Sequence, residues 1–348
     1  MQANRFRQAG LSMIELMVAI TISLFLLVGL VSVFATSNQT YMDLGRASQQ
    51  IESGRFATQL LADDIAHAGF YGRYSQTPTT PGALPDPCVN NNMATLTTGL
   101  ALPVQGYDAP ATSPITACVA AANHLAGTDI IVVRRNDSTQ AAGDATTIPA
   151  GALTANYIYM QANADSTATP VIAVGSGVAA TDQATFPLKN KDPTQFAPVR
   201  RHHVHIYFIA PCSVPNGGGT LCTGANDDGG RPIPTLKRIE LTSNGVSSVV
   251  SLVEGIENLQ LDYGVDADKD GVPDTTYTTD PASVAAWMNV VAVRINLLSR
   301  QIEPTNGYTD PRTYDMGVAG AYTPGGAYKR HVYNTVVRVV NPASRREP

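Results

Sequence analysis

An apolar segment near the N-terminus constrains this chain more than any other part of its sequence. Residues 11–35 contain a single charged side chain, Glu15, whereas residues 1–10 carry two positive charges, Arg5 and Arg7. A helix rises about 1.5 Å per residue, so about 20 apolar residues cross a hydrocarbon core of about 30 Å. The segment is therefore long enough to span a bilayer. The positive-inside rule places Arg5 and Arg7 in the cytoplasm and the chain after residue 36 on the other side.

Three interpretations compete for this segment, and Glu15 separates them. A secretory signal peptide has an apolar core of about 7 to 15 residues. The tripeptide Val33-Phe34-Ala35 could serve as its cleavage site, but the apolar run is longer than such a core. A plain signal anchor fits the length, but it does not explain a carboxylate inside the run, where a charge costs at least about 2.5 kcal/mol. The third interpretation accounts for the carboxylate.

Residues 10–16, which read Gly-Leu-Ser-Met-Ile-Glu-Leu, resemble the type IV prepilin signal. That signal has a short basic leader ending in Gly, an apolar first mature residue and Glu at the fifth mature position. The resemblance implies that a prepilin peptidase cleaves between Gly10 and Leu11 and methylates the new amine of Leu11. A carboxylate in an apolar filament core needs a partner. The resemblance supplies one for Glu15, the terminal ammonium of a neighbouring subunit, and this pairing sets the register of assembly.

The helix is predicted to continue to about residue 70, because no proline occurs before Pro78. Small and apolar residues recur at spacings of three and four, which predicts an amphipathic helix. These residues are Leu44, Ala47, Ile51, Gly54, Ala57, Leu61, Ile65 and Ala68. A helix of about 55 residues far exceeds the globular mean. It matches the pilin design, although Gly29 stands near the position where many major pilins have a kinking proline.

The rest of the chain predicts a β-rich head. Runs of β-branched and aromatic residues predict strands at 129–134, 157–160, 204–209, 236–241, 259–263, 290–298 and 332–339. No helical pattern alternates with these strands, which disfavours a parallel sheet. The sequence therefore predicts an α+β fold, in which a long N-terminal helix, transmembrane and then amphipathic, packs on an antiparallel β-sheet. We expect a leader at 1–10, a filament-core helix at 11–35, its amphipathic continuation at 36–70, and a head at 71–348 with a variable, loop-rich middle at about 75–235.

Two C-terminal segments extend the resemblance from type IV pilins in general to one family of them. Residues 287–300 and 328–333 resemble the ends of the large minor pilins of the PilW family, whereas residues 75–235 carry no such resemblance. The resemblance implies a subunit without enzymatic activity that joins or primes a type IV pilus. It would be anchored in the inner membrane by a single pass, with its head in the periplasm, and then be incorporated into the extracellular pilus. The implied partners are the prepilin peptidase, other minor pilins, the major pilin and a tip adhesin.

The four cysteines fit an oxidising compartment. Cys88, Cys118, Cys212 and Cys222 all follow the membrane segment, and none forms a C-x-x-C pair, which disfavours zinc-ribbon and thioredoxin-like sites. Three pairings are possible. Nearest neighbours are favoured, because each bridge then clips a short loop of an exported domain at little closure cost. Four unpaired thiols are the alternative.

Residues 266–274, which read Asp-Ala-Asp-Lys-Asp-Gly-Val-Pro-Asp, predict a calcium site. Alternating carboxylates followed by Gly let a loop fold oxygens around one hard cation. The predicted ligands are Asp266, Asp268, Asp270, the carbonyl of Val272 and Asp274. Tyr277 occupies the twelfth position, where calcium loops have a bidentate Glu, so Asp280 or a distant carboxylate would have to complete the shell. A solvated acidic turn is the alternative.

Other candidate sites are weaker. His203 and His205 lie on one face of a predicted strand with metal-ligand spacing, but no nearby Cys or carboxylate in the sequence extends the pair, so exposed sheet polarity explains it equally well. The net charge of −5, from 23 basic and 28 acidic residues, disfavours nucleic-acid binding. No nucleophile with a matched base indicates an active site.

Two alternative functions stay open at this point. A pseudopilin of a type II secretion system shares every N-terminal feature. An exported calcium-binding adhesion module or hydrolase belongs to a different class, and it requires cleavage near Ala35 to release a soluble product.

Overall fold

The structure is a computed structural model, and it describes residues 12–74, 78–89, 93–164, 168–243, 245–246, 249–274 and 276–345. The chain divides into two compact units, Met1–Gln49 and Gln50–Pro348. Gly10 and Leu11 lie outside the described residues. The helices are α1 (Met13–Ala66), α2 (Met93–Gly99), α3 (Ala179–Thr185), α4 (Val284–Met288) and α5 (Val340–Ser344).

The strands, in chain order, are β1 (Val104–Tyr107), β2 (Ile130–Asn136), β3 (Ile158–Gln161), β4 (Val171–Val174), β5 (Val199–Ala210), β6 (Thr235–Thr242), β7 (Gly245–Val246), β8 (Val250–Glu254), β9 (Ile256–Val265), β10 (Val290–Arg300), β11 (Tyr314–Asp315), β12 (Ala321–Tyr322) and β13 (Arg330–Arg338). Each strand predicted from the sequence overlaps one of these. Pro and Asn restrict regular structure between residues 78 and 128, where the described part holds only the short elements α2 and β1 and a single 3-10 turn.

The first unit contains the apolar part of α1. The most apolar 18-residue window of α1 has a mean hydropathy of 2.7, and none of it is buried. In the part of the chain that the structure describes, α1 is the helix long and apolar enough to cross a membrane. α1 ends at Ala66, a few residues before the predicted end, and Gly69 and Gly72 then adopt φ values of +74° and +66° that other residues rarely adopt.

The second unit, the head, is built on antiparallel sheets. The largest has eight strands, with a path β1-β2-β5-β3-β4, while β6 pairs with β5 and carries β7 and β8. A second sheet has the order β13-β10-β9, and β11 pairs with β12. Every pair among these strands is antiparallel. The prediction of an α+β fold with a long apolar helix and antiparallel sheets is confirmed.

The C-terminal part of α1 packs within the head along a narrow stripe. Its buried residues are Gln50, Gly54, Ala57, Leu61, Asp64 and Ile65. Gln50 donates a hydrogen bond to the carbonyl of Ser299 at 3.0 Å. At Gly54 the ring of Tyr333 comes so close that an added Cβ would lie 2.1 Å from it, so this position requires glycine.

The predicted stripe was wrong at its N-terminal end. Leu44 is 70% exposed and Ile51 is 47% exposed. Leu44 lies in the first unit, before the head begins. Ile51 follows Gln50 directly, and a rotation of about 100° per residue carries it off the face that Gln50 and Gly54 share.

Strand β5 is buried on both faces, so its alternate residues enter two different cores. Tyr207 and Ile209 pack with α1 and the three-stranded sheet, whereas Val204, Ile206 and Phe208 pack in a second core. His203 and His205 share the parity of Tyr207. The fold therefore turns both rings toward the face on which α1 lies.

Two disulfides cross-link segments that pack in the second core. Cys88 pairs with Cys118, and Cys212 pairs with Cys222, as nearest-neighbour pairing predicts. The sequence separations are 30 and 10 residues. In the loop-entropy model, a closure of about 30 residues contributes about 3 to 4 kcal/mol. The bridges thus stabilise a segment that is poor in regular structure.

Candidate functional site

The first turn of α1 holds Glu15 in a capping box. The backbone N–H of Ser12 donates to Glu15 Oε2 at 3.0 Å, and the N–H of Ile14 donates to Ser12 Oγ at 3.3 Å. A Ser at the N-cap with Glu three residues later satisfies N–H groups that the helix itself leaves unpaired. The Ser-x-x-Glu spacing indicates this role, which was not predicted from the sequence. Glu15 therefore orders the start of the helix in addition to its predicted role in assembly.

The apolar surface that follows Glu15 is continuous. All large apolar side chains between Met13 and Phe34 are at least half exposed, from 51% at Leu16 to 86% at Met13. Exposed apolar patches of this extent mark surfaces that bind lipid or other apolar helices. This surface and Glu15 form the candidate assembly site of the chain.

The acidic loop lies between β9 and α4. Carboxylate oxygens of Asp266, Asp268 and Asp270 lie within 4.8 Å of one another. Asp266 is fully buried and accepts hydrogen bonds from the N–H groups of Lys269 at 2.6 Å and Gly271 at 3.1 Å. The N–H of Asp270 lowers the pKa of Asp268, but partial desolvation and the carboxylates around it raise that pKa more. The loop thus gathers three like charges with hard oxygen donors, the set that Ca²⁺ prefers.

The outer predicted ligands of this loop differ in their placement. Asp274 is exposed, and its Oδ2 accepts the N–H of Ala267 at 2.6 Å, which holds Asp274 beside the start of the loop. The side chain of Val272 is 58% exposed. Tyr277 stacks with the guanidinium of Arg294, 4.9 Å from its ring centroid, and Asp280 bonds to Thr278 through its backbone. Tyr277 therefore has a packing role in place of the ligand that stands at this position in calcium loops.

A cluster of buried and half-buried polar side chains lies where α1 meets the eight-stranded sheet, and we call it the Asp64 cluster. Its members are Asp64, Arg135, Asp137, Arg201, His203, His205, Tyr207 and Glu240. Asp64 Oδ1 accepts from Arg135 Nε at 2.5 Å, and its Oδ2 bonds to His205 Nδ1 at 2.7 Å and to the hydroxyl of Tyr207 at 2.8 Å. One carboxylate of α1 thus binds both central strands of the sheet.

The strand register brings the remaining members together. Arg135 is the Cα partner of His203, and Glu240 is the Cα partner of His205. His203 Nδ1 lies 2.8 Å from Glu240 Oε1, and its Nε2 lies 2.9 Å from Asp137 Oδ1. These carboxylates were not predicted as neighbours of the two histidines, because Asp64 and Glu240 are distant from them in sequence and meet them only through helix packing and strand pairing.

Burial and charge shift several pKa values in this region. Burial raises the pKa of Asp64, but the hydrogen bond and charge of His205 and the charge of Arg135 lower it to well below its ordinary range. Burial likewise opposes ionisation of Glu240, yet His203 and Arg201 lower its pKa to about 2. Burial lowers the pKa of the neighbouring His202 to about 3. Asp64 and Glu240 are therefore ionised, and His202 is neutral, at neutral pH.

These shifts predict that the head loses stability as the pH falls below about 6.5. His202 binds its proton near pH 6.5 when unfolded but only near pH 3 when folded, so the unfolded state gains protons first on acidification. One such group changes the free energy of unfolding by up to about 1.4 kcal/mol per pH unit. Asp64 and Glu240 act in the same direction below about pH 4.5, since their folded pKa values are depressed.

Denaturation followed through the single tryptophan, Trp287, which is 2% exposed, measures this dependence. We expect His202→Gln to flatten the slope between pH 6.5 and 4.5, and the exposed His331→Gln to leave it unchanged. Equal slopes for the wild type and His202→Gln would contradict the assignment.

The comparisons with known proteins agree with the geometry at both ends of the chain. The family model described as type IV pilus-assembly protein W matches residues 222–341, and the prokaryotic N-terminal methylation motif matches residues 5–31. Over these two ranges the chain is similar to PilW-like type IV pilins. The two matches support a minor pilin involved in type IV pilus assembly, with prepilin processing. No curated protein and no solved structure matches the chain.

Some of the candidate sites lie within the matched ranges and others lie outside them. Gly10, Leu11 and Glu15 fall within the methylation motif. The acidic loop falls within the PilW range, as do the two C-terminal segments that carried the resemblance. Most of the Asp64 cluster, including His203 and His205, lies outside both ranges. Type IV pilins are structural proteins, so the assembly surface is the functional site that the family indicates.

Proposed function

We propose that this chain is a minor pilin. A single transmembrane pass anchors it in the inner membrane with its head in the periplasm, and it then joins or primes the type IV pilus. Its N-terminal helix crosses the membrane before assembly and packs against the helices of other pilins afterwards. The observation that carries the proposal is the methylation motif at residues 5–31, which includes the start of α1, where the large apolar side chains are at least half exposed. The subunit acts by packing and has no catalytic role.

In this proposal, processing creates the site that Glu15 needs. Cleavage between Gly10 and Leu11 leaves an amine at Leu11, four residues before Glu15. In the single chain the Glu15 carboxylate accepts one backbone N–H. In the filament it pairs with the Leu11 amine of a neighbouring subunit, because a charge in an apolar core is tolerated only when paired. The partners are other minor pilins, the major pilin and, at the tip, an adhesin, while the prepilin peptidase acts before assembly.

Fractionation of native cells tests this proposal. We expect the protein in sheared pili and in the inner membrane, in the processed form in both, and we expect piliation to fall when the gene is deleted. A secretion defect with normal piliation would identify a type II secretion pseudopilin instead. A soluble product cleaved near Ala35 would identify an exported calcium-binding module or hydrolase. The match to the pilus-assembly family over residues 222–341 favours the pilus.

We also propose that the acidic loop binds Ca²⁺ as a structural clip. Its support is the convergence of Asp266, Asp268 and Asp270, together with Asp274 held beside the loop entrance. Arg338 of β13 donates to the carbonyl of Gly271 at 3.4 Å, so the loop is tied to the three-stranded sheet. A bound ion would neutralise the clustered carboxylates and stiffen this connection.

Calcium is expected to stabilise the folded chain. A ligand at 100 times its dissociation constant adds about 2.7 kcal/mol to the free energy of unfolding. We expect Ca²⁺, relative to EDTA, to raise the unfolding temperature of the wild type and of Asp63→Asn, an exposed control on α1. The double variant Asp268→Asn/Asp270→Asn should show no rise. An equal rise in all three proteins would rule out this loop as the site.

A further inference from the structure

Strand pairing places a third potential metal ligand, Glu240 of β6, beside the two histidines of β5. One ring nitrogen each of His203 and His205 and one carboxylate oxygen of Glu240 lie within 4.8 Å of one another. His203 is 7% exposed and His205 is 3% exposed, and the Glu240 side chain is 17% exposed. Two imidazoles and one carboxylate form a donor set that suits Zn²⁺ and similar ions, whereas Ca²⁺ prefers oxygen ligands alone.

Each of the two imidazole rings also contacts a second carboxylate through its other nitrogen, as in many metal sites. His205 places Nδ1 on Asp64 Oδ2 at 2.7 Å, and His203 places Nε2 on Asp137 Oδ1 at 2.9 Å. Metal-binding histidines almost always donate their second N–H to such a group, which fixes the tautomer and orients the ring. If these two nitrogens keep their protons, His203 Nδ1 and His205 Nε2 are the nitrogens left to bind an ion. In the metal-free protein His203 Nδ1 donates to Glu240 Oε1 at 2.8 Å, and a bound ion would replace that proton.

We infer that His203, His205 and Glu240 form a binding site for a divalent transition-metal ion, with Zn²⁺ as the model ion. The site joins β5 to β6, and through Asp64 it reaches α1. It therefore clamps the helix to the eight-stranded sheet. This site is independent of the acidic loop and of pilus assembly.

A metal ion at this site competes with the guanidinium of Arg201 for the Glu240 carboxylate. Arg201 Nη2 donates to Glu240 Oε1 at 2.7 Å, and Arg135 and Arg238 add positive charge nearby. The guanidinium of Arg201 also lies 3.7 Å from the ring centroid of Tyr157, so it keeps a partner when an ion takes the carboxylate. A cavity of about 580 Å³, lined by Asp64, Arg135 and Asp137, lies beside the groups that contact the two histidines.

Titration of the full chain with Zn²⁺ tests the inference. The protein is purified in detergent without a histidine tag, binding is measured by calorimetry, and Co²⁺ is used to detect the visible absorption of a tetrahedral site. We expect one equivalent at the cluster. His203→Gln and Glu240→Gln should abolish this binding, and Asp137→Asn should weaken it about tenfold. Arg201→Gln should tighten it because the competing guanidinium is removed.

Controls separate this site from others. His331→Gln, an exposed histidine on β13, should leave binding unchanged. The metal-free unfolding transition of each variant, followed through Trp287, shows whether the fold is intact. Absence of binding by the wild type would overturn the inference. So would binding that survives His203→Gln, for instance binding that is lost instead in Asp268→Asn/Asp270→Asn, and so would an affinity that Arg201→Gln does not increase.

Discussion

Glu15→Ala is expected to abolish incorporation of this PilW-like chain into pili while the head remains folded. The substitution removes the single charged side chain within residues 11–35, the group that we propose to pair with the Leu11 amine of a neighbouring subunit. It also removes the oxygen that accepts the Ser12 N–H. Outside the membrane, water can accept this N–H instead. The head begins at Gln50, so its stability should not change. Sheared pilus fractions and immunoblots measure the incorporation.

A second substitution separates the two roles of Glu15. Glu15→Gln keeps an oxygen that can accept the N–H of Ser12, but it carries no charge. If charge pairing directs assembly, Glu15→Gln should fail as completely as Glu15→Ala. Glu52→Ala, an exposed acidic residue farther along α1, should assemble normally. Normal piliation by Glu15→Gln would show that helix capping, and not charge pairing, is what assembly requires.

Asp64→Asn is expected to lower the free energy of unfolding of the head by about 3 kcal/mol. Removal of one partner from a buried ion pair costs about 3 to 5 kcal/mol, because the remaining charge stays buried without compensation. We expect the lower end of that range, because the Arg135 side chain is 23% exposed and keeps some contact with water. Tyr207 and His205 also lose a charged acceptor.

The neighbouring residue supplies the control for this prediction. Asp63 is exposed and has the same side chain, so Asp63→Asn should change the stability by less than about 0.5 kcal/mol. Chemical denaturation followed through Trp287 compares the two variants with the wild type. A loss below about 1 kcal/mol for Asp64→Asn would mean that solvent reaches the cluster more freely than its burial indicates.

Local patterns predicted the main elements of this fold. The charge-free run after Glu15, the long stretch without proline and the β-branched runs are all properties of neighbouring residues. They were sufficient for α1, for the main strands and for the antiparallel class. The capping box at Ser12 and Glu15 is also encoded locally, by the spacing of two residues.

The Asp64 cluster was not predictable in the same way. Asp64 meets His205 across 141 residues of sequence, and Glu240 meets His203 across 37. No local pattern encodes such contacts, because they depend on strand order and on the face of α1 that packs against the sheet. For the same reason the predicted stripe failed at Ile51, because the position of the sheet decides which face of α1 is buried and Ile51 lies off that face. The acidic loop, by contrast, was visible because its carboxylates lie within nine residues.

The mass and N-terminal sequence of the protein from its native cells test the central claim most directly. Assembly as a pilin requires cleavage after Gly10, so we predict a mature chain that begins with N-methylated Leu11. A chain that begins at Thr36 would contradict the account, since the apolar helix and Glu15 would then be absent from the mature protein. A chain that retains Met1 would contradict it equally, because the amine that Glu15 needs would never form.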